Sequence, residues 1–374
     1  MFAKDKLRKV YLAFCTWSVI ILVAQHFKAS KHYNRSSRRL QSIIRQEIDP
    51  LFEYGTRRNL DVDVRPGFIL REKKELSNYK IFDNMTTIPL IIHQVGKNYT
   101  VSRLYKNWMK TWLTLHPKWK YWFWTERDIS FFIKTRYPHF VKIFLTYSTD
   151  IQRHEAFRYL LLYEFGGLYV DLDIECLKPL GEVLEGHKCV LSSEPLMHQL
   201  VAADFIEKDH LFSNALMASR PRHPYLQHTI NFMVQDNRFR IRNPSRSTGS
   251  LMLEDSFETF QKTDHSDEIP HFAPPDVFQP KFDPKEFISF VTVCDFVNIM
   301  IERNLTSKKV YEAKEACKPI MENMNKPAEV PNGPKDISLT IHHWVENPSR
   351  ISGLVDVPAS NTEPFHVFEL GVYA

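Results

Sequence analysis

Apolar and polar positions divide this chain into regions of different character. Val10 to Phe27 reads VYLAFCTWSVIILVAQHF, 18 positions without Asp, Glu, Lys or Arg. A helix over them is about 27 Å long, close to the thickness of a bilayer core. A buried core helix would show a polar face, and a cleaved signal would end in small residues. Neither is present, since the run ends in Gln25-His26-Phe27-Lys28. The pattern predicts an uncleaved signal anchor over 10–27 behind a short tail, residues 1–9. Residues 28–85 are polar and weakly periodic and read as a stem. From residue 86 the pattern becomes that of a folded domain. Ile88-Pro-Leu-Ile-Ile-His-Gln94 is a short β-branched run, read as a first buried strand. Leu104, Trp108, Trp112 and Leu115 recur at helical spacing, and the helix should stop near His116-Pro117. Lys120 to Trp124 reads as a second strand and Asp128 to Arg136 as a second helix. A third helix runs from Asp150, its expected cap, to Phe165, with Gly166-Gly167 as its stop. Leu168-Tyr-Val170 is then a third strand. Strands alternating with helices predict an α/β domain over 86–345, its mostly parallel sheet flanked by helices, with a terminal extension over 346–374.

Composition adds two constraints. Of 374 residues, 43 % are hydrophobic and 25 % charged, which is ordinary for a folded protein. Net charge is +5, but residues 1–75 hold 16 Lys and Arg against 8 Asp and Glu, a surplus of 8. The remainder carries 5 − 8 = −3, so a nucleic acid polymer is not the principal partner. Basic residues flank the apolar run almost equally: Lys4, Lys6, Arg8 and Lys9 before it, Lys28, Lys31, Arg35, Arg38 and Arg39 after it. The N-glycosylation sequons at Asn34, Asn84, Asn98 and Asn304 all follow it. They favour a type II protein with its bulk in the secretory lumen. Cys176, Cys189, Cys294 and Cys317 would then form one or two disulfides, with three complete pairings open.

The chemistry concentrates in Arg153 to Leu180, RHEAFRYLLLYEFGGLYVDLDIECLKPL. Asp171 and Asp173 follow a buried strand directly, at the strand end where ligands of such sheets bind. Paired carboxylates there call for a hard divalent cation, Mn²⁺ or Mg²⁺. In an extended segment the two side chains diverge, so one would hold metal directly and the other act through water or a ribose hydroxyl. A second Asp-x-Asp, Asp61-Val-Asp63, lies in the stem and is given no function. Glu155 and Arg158 share a helix face. Arg158 is read as a fork for phosphate oxygens, against the alternative of a surface ion pair with Glu155. Five of the seven tryptophans fall between Trp108 and Trp124. They read as an aromatic core patch, with base stacking by one ring as the alternative. Arg238, Arg240, Arg242 and Arg246 form either a solvated basic loop or a contact for an anionic lipid headgroup. Ser247-Thr-Gly249 would bring that loop to the site.

The segment x-R-Y-x-x-L-Y-x-x-G-G-x-Y-x-D-x-D, with Ile88 to Gln94 upstream, resembles the DXD-containing sugar-binding-region glycosyltransferases. The resemblance is strong over residues 86–182 and continues through Phe212 to Pro224, Ser247-Thr-Gly249 and Ile341-His-His-Trp344. Glu175-Cys176-Leu-Lys-Pro179 and the Ser-Arg-Pro-x-His-Pro stretch look most like the inositol-phosphoceramide mannosyltransferase branch. The resemblance implies a GT-A fold, a nucleotide-sugar donor, Mn²⁺ or Mg²⁺, and retention of anomeric configuration. It assigns Asp171 and Asp173 to metal and donor, Arg158 to the donor, and Tyr169, Gly167 and His93 to the donor site. Glu155 stands where the family usually shows Asp. Gly96 stands where it tends to place an aromatic, so base stacking either comes from elsewhere, with Trp124 as the candidate, or is lost. His342 and His343, in Thr340-Ile-His-His-Trp344, offer a third metal ligand. Adjacent strand residues point opposite ways, so one of the two serves, His342 by preference.

The expectation is a Golgi membrane hexosyltransferase, single-pass type II with its catalytic domain lumenal. It would move mannose from GDP-mannose to a glycolipid such as inositol phosphoceramide or to a glycan, with a regulatory subunit as a further partner. Two alternatives remain: a UDP-sugar-dependent α-1,4-galactosyl- or N-acetylglucosaminyltransferase, and a non-catalytic lumenal sugar- or lipid-binding protein.

Overall fold

A computed structural model describes residues 86–202, 211–235, 241–263, 268–304, 307–345 and 364–370. The expected tail, anchor and stem, Asn34, Asn84, Arg238, Arg240 and most of the extension lie outside them. No helix among the described residues is long and apolar enough to cross a membrane.

A mixed six-stranded sheet forms the centre. Its strands are β1 (Ile91–Val95), β3 (Lys120–Trp124), β4 (Gly167–Val170), β6 (Cys189–Ser193), β7 (Phe212–Ser219) and β8 (His271–Ala273). Their order is β3-β1-β4-β7-β6-β8. The β1–β3, β1–β4 and β6–β8 pairings are parallel, and β7 runs antiparallel to both neighbours. Five strands therefore share one direction, and the expected parallel sheet carries one reversed strand. Strand β1 is buried at all five positions, the polar His93 and Gln94 included, between two helical layers.

Two small sheets flank the large one. β2 (Thr100–Ser102) pairs with β10 (Pro364–His366), and β5 (Ile174–Cys176) with β9 (Thr340–His342). The main helices are α1 (Leu104–Leu115), α2 (Glu126–Arg136), α3 (Asp150–Phe165), α4 (Pro224–Gln235), α5 (Ser250–Phe260), α6 (Phe287–Glu302) and α7 (Lys308–Glu322). Helix α2 starts two residues before the expected Asp128, because Thr125 and Asp128 close a capping box. Thr149, not Asp150, caps α3, in a second box with Gln152. Gly166 ends α3 at φ 64° and Gly167 follows at φ 97°. A Cβ on Gly167 would lie 2.6 Å from the Ile91 carbonyl oxygen, so glycine is what lets β4 close on β1.

One face of the sheet packs Ile91, Val95, Trp122 and Trp124 against α2 and α3; the other packs Ile92, Tyr121, Phe123 and Leu168 around Trp112 of α1. Trp112, Trp122 and Trp124 are fully buried, which favours the core-patch reading. A third cluster lies under the α6–α7 hairpin. There Cys294 pairs with Cys317, while Cys176 and Cys189 stay buried thiols.

Candidate active site

The site is built where β4 ends. Along β7 the partner in β6 jumps from Met217, opposite Leu191, to Ser213, opposite Ser192. This irregularity releases the intervening backbone of β7 from β6, and the carbonyls so exposed are used on the β4 side. The Ala215 carbonyl accepts from the Asp171 N–H at 2.9 Å, continuing the β4–β7 ladder. The Asn214 carbonyl accepts from Arg158 Nη1. Arg158 projects from the middle of α3, lies 4.5 Å over the Tyr169 ring, and reaches Asp171 through Nη2 at 3.3 Å and Nη1 at 3.4 Å. Tyr169 donates its hydroxyl to Asp171 at 2.7 Å. Burial drives the Asp171 carboxyl above its usual range and Asp173 adds to this, while Arg158 and Tyr169 offset part of it.

Asp173 is approached from the other end of the chain. Pairing of β5 with β9 sets His342 opposite Ile174. His342 Nε2 thereby comes within 3.2 Å of Asp173 Oδ2, which also accepts from the Val345 N–H at 2.6 Å. His342 Nδ1 donates to Gln279 Oε1 at 3.3 Å, and Gln279 in turn donates to Ser192 of β6. Trp344, at φ 58°, stacks on the imidazole with ring centroids 3.8 Å apart. Burial alone would raise Asp173 and lower His342. Their mutual attraction, with the Val345 N–H on Asp173 and with Asp171 and Glu194 acting on the imidazole, wins in both cases. Asp173 ends below and His342 above its ordinary value. His343 turns the opposite way, to Glu175 at 2.9 Å and flat against Trp108.

Glu155 is buried one helical turn before Arg158. Its partners are not Arg158 but the Thr248 hydroxyl at 2.7 Å and the Asn214 amide at 3.3 Å. Burial raises its carboxyl. Ser247-Thr-Gly249 does reach the site: Gln152 holds Ser247, Tyr159 holds the Thr248 carbonyl, and a Cβ on Gly249 would lie 2.9 Å from Glu155 Oε1. The surface ion pair between Glu155 and Arg158 is therefore not what forms, and Arg158 is spent on Asp171 and backbone.

Sequence reasoning passed over Glu194. It follows β6 as Asp171 follows β4, accepts from His198 at 3.1 Å and from Ser250 at 3.4 Å, and is held below its usual range despite burial, through His198 and His342. The signal was present: Val190-Leu-Ser-Ser-Glu194 is another acid after a buried run. Asn214 had no such signal, because its role arises from the β7 irregularity.

Three expected donor residues sit elsewhere. Trp124 is core and donates its indole N–H to His93 Nδ1 at 3.2 Å. His93 is fully buried, with Nε2 donating to the Gly166 carbonyl at 2.9 Å, and burial lowers it to about 3. Gly167 serves strand packing, as described. The His93 and Trp124 rings do not face the acid pair, because β1 and β3 turn them into the layer between sheet and α3. The carried-over sequons Asn98 and Asn304 are exposed, as are Arg242 and Arg246.

Among the described residues no three His, Cys, Asp or Glu side chains converge as a ready cluster. The donor chemistry nonetheless suits a hard divalent cation: Asp173 and His342 face each other, and Asp171 adds a carboxylate two residues away.

Residues 102–191 match the family model described as the glycosyltransferase sugar-binding region containing DXD motif. An inositol phosphoceramide mannosyltransferase of Schizosaccharomyces pombe is 31% identical over 188 residues, 48% of this chain and 54% of that protein. A mannosyl phosphorylinositol ceramide synthase of Saccharomyces cerevisiae is 29% identical over 209 residues, 55% of this chain and 50% of that protein. The chain thus spans about half the length of the curated relatives it matches. Among solved structures, PaToxG glycosyltransferase aligns over 65% of this chain and 86% of its own, with 14% identity and a TM-score of 0.34. Arg158, Asp171 and Asp173 lie within the residues that match this family model.

Proposed function

We propose that this chain is a membrane-anchored, metal-dependent hexosyltransferase of GT-A type that moves mannose from GDP-mannose to a glycolipid such as inositol phosphoceramide. The observation that carries the reading is the opposed pair Asp173–His342 beside Asp171–Arg158, at the carboxyl edge of the parallel strands and within the DXD-type region. The activities for which the relatives are named suggest the sugar and the acceptor class.

In this reading Asp173 and His342 hold Mn²⁺ or Mg²⁺ with help from Asp171. A bound ion would add positive charge against the diphosphate as it leaves. Arg158 is held by Asp171 and the Asn214 carbonyl. It orients Asp171 and keeps that buried carboxylate compensated. Gln279 and Trp344 fix the His342 ring, as groups behind metal ligands commonly do. Glu155, tied to Thr248 and Asn214, sets the edge where the ribose of a nucleotide would lie. In transfer, the bond from the anomeric carbon to the diphosphate breaks, a bond to the acceptor oxygen forms, and the acceptor proton leaves. The Cys294–Cys317 disulfide supports a lumenal, Golgi-type compartment, since such bonds persist in oxidising surroundings. Type II topology and glycosylation at Asn98 and Asn304 belong to the same proposal.

The test is a donor screen on the purified full chain with Mn²⁺ and GDP-mannose, UDP-galactose or UDP-N-acetylglucosamine, scoring hydrolysis and transfer to inositol phosphoceramide. GDP-mannose turnover that disappears in Asp173→Asn is expected. Turnover of a UDP-sugar would replace the donor. No turnover of any donor would leave a non-catalytic binding protein.

A further inference from the structure

Helix α6 is apolar nearly all round, yet only one side of it is covered. Phe287, Phe290, Cys294 and Val297 face inward, against α7 and the short helix Leu196–Val201. On the outward side Ile288 is 80% exposed, Phe296 48% and Ile299 43%. At 100° per residue these three fall within an arc of about 80°, with Thr292 between them and Asp295 at the edge. Tyr311 of α7 adds a fourth exposed large side chain to the hairpin. A single exposed leucine or isoleucine needs no explanation, but a stripe along three turns of one helix does.

The place of the helix matters as much as its face. Phe290, on its inner side, packs against His198, and His198 packs against Trp344, which stacks on His342. The exposed stripe is thus separated from His342 by the width of the helix and three ring contacts, with centroids 5.7, 4.4 and 3.8 Å apart. The disulfide between Cys294 and Cys317 locks α6 to α7, so the face is presented by a braced element.

We infer that this face of α6 rests in the interfacial layer of a lipid bilayer and holds the active site at the membrane surface. The occupant is argued from the chain itself. An 18-residue uncharged run at 10–27 supplies a membrane-spanning length on the same polypeptide. A helix too short to span, its inner side packed on the protein and its outer side carrying aromatic and aliphatic groups, suits the plane of the interface. The consequence for catalysis rests on the glycosyltransferase reading: an acceptor whose hydroxyls lie in the headgroup layer would meet the site without leaving the bilayer.

The experiment reconstitutes the full chain in phosphatidylcholine vesicles containing a diazirine-labelled lipid and maps the photolabelled peptides. Label on 287–302 as well as 10–27 is expected, and it should vanish from 287–302 in the triple variant Ile288→Ser, Phe296→Ser, Ile299→Ser. In the same vesicles the variant should lose about tenfold in transfer to a bilayer-embedded acceptor, with donor hydrolysis and Tm unchanged. Label confined to 10–27 would overturn the inference, as would a chain-to-chain crosslink through α6, which would mark a second copy as the occupant. Photolabelling does not depend on sugar transfer. A chain that labels on α6 but turns over no donor would therefore keep the surface and discard the proposed activity.

Discussion

The two edges of the central sheet both carry buried or half-buried charge, but they balance it differently. At the amino edge, Glu268 meets Lys188 at 2.8 Å, Arg220 at 3.2 Å and His223 at 3.3 Å. One acid faces two permanent cations, and nothing is left to compensate. At the carboxyl edge, Glu155, Asp173 and Glu194 are buried and Asp171 is half-buried, and Arg158 is the permanent cation among their partners described above. His342 and His198 make up part of the difference only while protonated. Buried acids in excess of cations cost stability, so such an arrangement points to a ligand that brings positive charge. The amino edge balances its charge within the fold; the carboxyl edge supplies the carboxylates that the proposed function gives to a cation.

The largest effect should therefore separate activity from stability. Asp173→Asn is expected to reduce transfer by about 100-fold or more, on the scale of losing a strong electrostatic group, with little change in Tm. Glu268→Gln should do the reverse. It should lower stability by about 1 kcal/mol, or roughly 2–4 °C in Tm, at unchanged kcat/KM. Equal loss of activity in both variants would erase the contrast between the edges.

Arg158→Lys comes next. Lysine carries the charge but not the fork that spans Asp171 and the Asn214 carbonyl. A loss of about 2 kcal/mol in denaturant unfolding is expected, with donor hydrolysis down about tenfold. Normal stability in that variant would mean the Asp171 contact is not what holds Arg158.

Gly249→Ala is a smaller probe of the same edge. Its Cβ would lie 2.8 Å from Ser245 Cα and 2.9 Å from Glu155 Oε1. Separation of Glu155 from Thr248 should cost about 1 kcal/mol, read by thermal melting, and raise KM for donor more than it lowers kcat.

The smallest effect is on pH. Asp173 sits below its ordinary value, so its contribution is present above about 3.8 and is lost as pH falls through its lowered folded value. His342 sits above its ordinary value, so its contribution is complete below about 6.5 and is lost as pH rises through its raised folded value. Cation-free protein should be most stable between these limits, and His342→Gln should flatten the alkaline side of the profile. Because a metal needs neutral imidazole, Mn²⁺ should bind more tightly as pH rises over that same alkaline limb.

How much of this was legible depends on separation along the chain. Helix α3, Gly166-Gly167, β4 and the acid pair are one contiguous stretch, and local rules give their order and their common edge. His342 was legible as one of two histidines. His342 was the preferred one, but its approach to Asp173 depends on β5–β9 pairing across more than 160 residues. Arg158 was read as a phosphate fork near the acids; its contact with the Asn214 carbonyl was not legible, because its position on α3 says nothing about how β7 presents that carbonyl. His93 and Trp124 were drawn toward the site by motif position. Their alternate-face placement in β1 and β3 sends them into the core, where they hydrogen-bond each other. The disulfide could not be chosen from spacing, since it depends on how α6 and α7 pack.

The most direct measurement is a thermal-shift titration of the purified full chain with Mn²⁺ and GDP, alongside Asp173→Asn and Glu268→Gln. A carboxyl edge built to receive a cation and a diphosphate predicts a Tm rise in the wild type and in Glu268→Gln, and none in Asp173→Asn. A flat wild-type response, or an equal rise in Asp173→Asn, would contradict it.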